Sequence, residues 1–119
     1  MIRAFVILSS KGFPIFEQYY ADESIKADQK IIDDLAEHPN GFLSNIDTTF
    51  ELIDLFGTEV QVRTIPLGSG KWLILISSDP KRDFLTFNLK DLKLAGIMVA
   101  SGDSYAIEHV VSGFIHPLE

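Results

Sequence analysis

The residues with the first claim to chemistry are Gly68-Ser69-Gly70-Lys71, because a glycine-rich loop ending in lysine can cradle phosphate with its backbone N–H groups. The spacing fails. A phosphate loop of that kind needs a glycine five residues before the Gly-Lys pair and a Ser or Thr after the lysine to hold magnesium, and this chain has Ile65 and Trp72 there. A dinucleotide fingerprint fails as well, since Leu73 stands where its third glycine belongs. Ser78-Asp79-Pro80-Lys81 matches the bare Ser-x-x-Lys pattern of serine acyl transfer, but that chemistry sets the lysine one helical turn from the serine, and Pro80 makes this stretch a turn. Of the three histidines, His109 and His116 lie seven residues apart, which on one helix face is about 10 Å, too far for a single metal ion. His38 falls at a helix end, where an imidazolium suits the dipole. No spacing links any of them to a Ser and an Asp as a triad. No catalytic, metal or cofactor-binding residue is assigned, and the chain is read as non-catalytic. A small-ligand sensor would need polar groups converging on a closed pocket, with His109, Asp103 and Lys71 as the candidates.

The remaining candidates are aromatic. Tyr19, Tyr20, Trp72, Phe84 and Phe87 could anchor a protein partner, since Trp and Tyr are enriched at binding hot spots, although packing in the core or on a sheet face is the simpler explanation of each. Tyr20 and Trp72 lie at strand ends and are the better placed for exposure.

These residues are carried by a chain that opens on a hairpin. Ile2, Ala4, Val6 and Leu8 alternate with Arg3, Phe5, Ile7 and Ser9, so both faces of the first strand are largely apolar and both should be covered, as in an interior strand. Ser10-Lys11-Gly12-Phe13-Pro14 reverses the chain, with Gly12 free to take positive φ, and Ile15 to Tyr20 form the return strand. Ala21 to His38 predicts an acidic helix, capped by Asp22 or Ser24, with an apolar stripe of Ile25, Ile31, Ile32, Leu35 and Ala36. Asp28, Asp33, Asp34 and Glu37 are expected on its solvated side. Phe42, Leu43, Ile46, Phe50, Ile53 and Leu55 recur at helical spacing, which predicts a second, main core helix over 41–56. From Thr58 the period changes to two. One strand is expected through Pro66, a glycine turn at 67–70, a second strand over 71–77, a third over 84–89 and a fourth over 94–100, where Gly96 would mark a bulge. A helix over about 104–116 closes the chain.

At 119 residues, with no repeat or long linker, residues 1–119 are read as one domain, able to bury roughly 65% of its unfolded surface. The expected class is α+β, a mostly antiparallel sheet of five or six strands flanked by helices. A net charge of −7 with scattered Lys and Arg argues against a nucleic-acid partner. No Cys is present, which rules out disulfides and thiolate metal sites and fits a reducing compartment. No signal peptide and no membrane-inserted segment are expected, so the cytoplasm is the expected location.

The opening strand Ile2 to Leu8, the Ser10-Lys11-Gly12-Phe13-Pro14 turn and the Ile15-Phe16 return, followed by Gly41-Phe42-Leu43-Ser44, Phe56-Gly57 and the Gly68 turn, resemble the longin and roadblock group of the profilin-like superfold. The resemblance covers roughly residues 1–78. It departs from the group in an extra acidic helix before the main helix, and in ending on a strand and one helix where longins have two helices. It implies a five-stranded antiparallel sheet with helices on both sides. It also implies a scaffold module that forms a homodimer or heterodimer, or binds a small GTPase or another vesicle-trafficking protein, through a strand edge or a helix face. The alternative within the superfold is a profilin-like binder of cytoskeletal protein or proline-rich peptide, which requires clustered exposed aromatics such as Tyr19, Tyr20 and Trp72.

Overall fold

The computed structural model describes residues 2–9, 11–20, 22–37, 46–68, 70–78 and 89–101. Its elements run β1 (Ile2–Leu8), β2 (Pro14–Tyr19), a short 3-10 turn (Asp22–Ser24), α1 (Ile25–Glu37), β3 (Thr48–Ile53), β4 (Glu59–Gly68), β5 (Lys71–Ser77) and α2 (Leu89–Ala100). The five strands form one sheet in the order β2-β1-β5-β4-β3, and every neighbouring pair is antiparallel. The architecture is α+β.

The double-sided pattern of β1 places it inside the sheet, between β2 and β5, and Ala4 through Leu8 are fully buried. One face carries Ala4, Val6 and Leu8 with Val60, Val62, Ile74 and Ile76, closed by Ile31, Ile32 and Leu35 of α1. The opposite face carries Phe5, Ile7, Ile65, Leu67, Leu73 and Leu75, all buried, and Phe5 meets Phe16 of β2 edge to face with ring centroids 6.4 Å apart. Helix α2 lies on this second face. Gly96 is its close approach, for a Cβ there would stand 3.0 Å from Leu67 Cδ2 and 3.5 Å from Leu73 Cδ2.

Two expectations are corrected. The helix anticipated over 41–56 is, in its described part, strand β3 and the turn that follows. Thr48, Phe50 and Leu52 are half-buried, whereas Thr49, Glu51 and Ile53 are exposed, a period of two. The helical spacing of the large apolar residues was coincidental there, and pairing of all of β3 with β4 decides the matter. The strand anticipated over 94–100 is the second half of α2. Its apolar run is ambiguous by itself, but it continues Leu89-Lys90-Asp91-Leu92-Lys93, mostly good helix formers that extend the element to twelve residues. Gly96 is therefore a helix-to-sheet contact and not a bulge. Residues 84–88 of the anticipated third strand, together with the closing helix over about 104–116, lie outside the described residues.

The turns follow local chemistry. Gly12 takes φ of +80°, and a Cβ on it would come within 3.2 Å of the Ala36 carbonyl oxygen, so this glycine also lets the β1–β2 turn touch the end of α1. Gly68 and Gly70 likewise take positive φ in the β4–β5 hairpin, where Gly68 pairs with Lys71. The glycine-lysine sequence thus joins two strands, as its spacing indicates.

Candidate functional site

The strongest concentration of charge lies inside the α1 side of the sheet. Strict alternation would send Arg3 to the face of Phe5 and Ile7, but the β1–β5 register slips between Ile2 and Ala4 and the guanidinium turns toward α1. Its Nη2 stands 2.8 Å from Asp28 Oδ1 and 2.9 Å from Asp54 Oδ2. Arg3, Asp28 and Asp54 are 4%, 0% and 8% exposed.

The two carboxylates are held differently. Asp54 sits at the start of the β3–β4 turn and accepts the N–H of Phe56 at 2.8 Å and of Thr58 at 2.9 Å on one oxygen, and Arg3 on the other. Burial acts upward on its carboxyl, but the Thr58 N–H, Arg3 and the Phe56 N–H outweigh it and hold Asp54 below its ordinary pKa. Asp28 has a single hydroxyl donor, Ser24 Oγ at 3.1 Å. Its approach to Arg3 is ionic but poorly aligned, leaving Asp28 Oδ1 and Arg3 Nε without a hydrogen bond. Burial raises the Asp28 pKa above its ordinary value, and Arg3 and Ser24 only partly offset this.

This cluster overturns the placement of Asp28 on the solvated side of the helix. The signal was in the spacing, since Ser24, Asp28, Ile31, Ile32 and Leu35 share one side of a helix, and in an arginine set within an otherwise apolar strand. A second ion pair, Arg63 with Asp47, is more exposed and ties the entry of β3 to β4 through contacts of 2.7 to 3.3 Å.

Among the described aromatic candidates, Tyr19 and Trp72 lie on one face but well apart. Tyr19 and Trp72 are half-buried and pack on the α1-side core, where Tyr19 pairs with Ala4 and Trp72 with Leu8, about 13 Å apart along β1. The Tyr19 hydroxyl donates to Glu17 Oε1 at 2.8 Å, and burial together with that carboxylate raises its pKa well above the ordinary tyrosine value. Tyr20 is also half-buried and donates its backbone N–H to the Arg3 carbonyl at 2.8 Å. Phe84 and Phe87 lie outside the described residues, as do Asp103 and all three histidines.

Among the described residues, exposed apolar side chains include Phe13 and Ile15 at the β1–β2 turn and two further groups. Ile53, Leu55 and Phe56 surround the buried Asp54 and are 69%, 65% and 60% exposed. On α2, Leu94, Ile97 and Met98 fall at i, i+3 and i+4, so they form one stripe on the side away from Gly96. An open depression of about 350 Å³ lies beside the first group, lined by Glu51, Leu52, Ile53, Glu59, Val60, Gln61 and Ser78. Lys71, the described member of the anticipated polar pocket, starts β5, roughly 20 Å from Ser78 beyond its other end. Among the described residues no three His, Asp or Glu side chains are arranged to hold a metal, and no helix is long and apolar enough to cross a membrane.

Compared with known proteins, the chain matches no family model, no curated protein and no solved structure.

Proposed function

We propose that this chain is a protein-interaction module of the longin and roadblock type, acting as a homodimer or as the partner of a small GTPase. The observation that carries the reading is the stripe of Leu94, Ile97 and Met98 on α2, 56%, 39% and 41% exposed. Apolar side chains grouped on a helix face gain about 25 cal/mol for each Å² removed from water, and a partner's surface is what removes it. A second copy of the chain can do so by setting the same stripe against itself across a two-fold axis.

The fold supports the reading in two ways. A five-stranded antiparallel sheet with a helix against each face is the arrangement that the sequence resemblance implies. With β3 in place of the anticipated core helix, the described residues between β2 and β3 hold one α-helix, α1, where the sequence suggested two.

Light scattering across a concentration series, on the native chain and on Ile97→Lys, tests it. A dimer that Ile97→Lys converts to a folded monomer supports the homodimer. A native chain that remains monomeric throughout overturns it.

A further inference from the structure

The structure assigns to Arg3, Asp28 and Asp54 the role of a proton-linked latch, in which a proton on Asp28 lets the three groups close at zero net charge and hold the β3–β4 turn against β1 and α1. One cation faces two carboxylates, all of them at least nine-tenths buried, and a full complement of charges would leave an uncompensated negative charge inside the core. The division of donors decides which carboxyl takes the proton. Asp54 has two backbone N–H groups and the guanidinium, a set that only an anion can use fully. Asp28 has Ser24 and a misaligned guanidinium. A proton on its Oδ2 can be donated to Ser24 Oγ along the same 3.1 Å line, leaving Oδ1 to face Arg3.

Among the described residues, the groups that face Asp28 are Arg3 from β1, Asp54 from the β3–β4 turn, Ser24 from the 3-10 turn, and Tyr19 on β2, whose hydroxyl is engaged by Glu17. Arg3 alone among them is cationic. Burial's upward effect on Asp28 agrees with this arrangement. The sign is fixed by linkage. Asp28 binds its proton more tightly folded than unfolded, so its contribution is complete below the ordinary aspartate pKa of about 4 and is lost as pH rises through the raised folded value. Asp54 acts oppositely, contributing above about 4 and losing its contribution as pH falls. What the latch holds is the turn bearing Ile53, Leu55 and Phe56, so deprotonation of Asp28 frees an exposed apolar tip.

Urea unfolding from pH 4 upward, native chain against Asp28→Asn, tests the latch, with amide exchange at Phe56 and Thr58 as the local readout. The folding constant of the native chain relative to Asp28→Asn should fall by up to about tenfold per pH unit across the Asp28 titration, with exchange at the two amides rising in step. An unchanged ratio of folding constants over that range overturns it. Should Asp28→Asn fail to fold, the carboxyl carbon of Asp28 is followed by NMR in the native chain. Titration above the free aspartate value supports the latch, and titration at or below that value overturns it.

Discussion

Replacing Arg3 by Met removes the cation set between two buried carboxylates while keeping most of the side chain's volume. Asp28 and Asp54 then stand 0% and 8% exposed with their shared counter-ion gone. Removing one member of a buried ion pair costs about 3–5 kcal/mol, because the partner's desolvation is no longer offset. A chain of 119 residues has a total stability on the order of 6–18 kcal/mol, so the loss is a large share of it. With a urea dependence of roughly 1–3 kcal/mol per molar, the unfolding midpoint should drop by about 1–5 M, read from the fluorescence of the single Trp72. The penalty should shrink toward acidic pH, where protonation neutralises the stranded carboxylates. A loss under about 1 kcal/mol at pH 7, or one that does not change with pH, would refute the description of this cluster as a buried charge-balanced unit.

Other substitutions separate local effects. Gly12→Ala should destabilise by about 1–3 kcal/mol, since positive φ is unfavourable for alanine and the Ala36 carbonyl cannot withdraw; Gly57→Ala shares the φ but meets nothing within 4 Å, so urea midpoints should fall further for Gly12 than for Gly57. Leu35→Ala empties a buried position under the sheet and should cost about 2–5 kcal/mol in the same assay. Ile97→Lys should leave the thermal midpoint within a few degrees of the native value, because that side chain is exposed, while reducing the solution mass of a dimer.

The sequence was most readable where a strand or helix had one clear period. β1 and β2, with Gly12 between them, the acidic α1, and the β4–β5 hairpin with its glycines all lie where alternation and turn residues place them. Misreading came where two periods fit the same residues. Phe50 and Ile53 suit a helical stripe, yet Phe50 and Leu52 also suit one face of a strand, and only β4 chooses between them. Leu94 to Ala100 is rich enough in apolar residues for a strand, and its helix is set by the residues before it and by Gly96 lying on Leu67. The buried cluster was hidden for another reason. An aspartate in an acidic helix reads as solvated, and its burial depends on an arginine from a different part of the chain.

The Arg3 cluster also bears on the order of folding. Arg3 and Asp54 are 51 positions apart, and they meet only when the first strand, α1 and the turn beyond β3 have all been brought to one place. Closing so long a stretch of chain is entropically unfavourable until the intervening elements are assembled. The attraction among them is therefore available only to a chain in which β1, α1 and the β3–β4 turn are already in place. The cluster ties β1, an interior strand, to the turn beyond the edge strand β3, two elements that no backbone ladder joins.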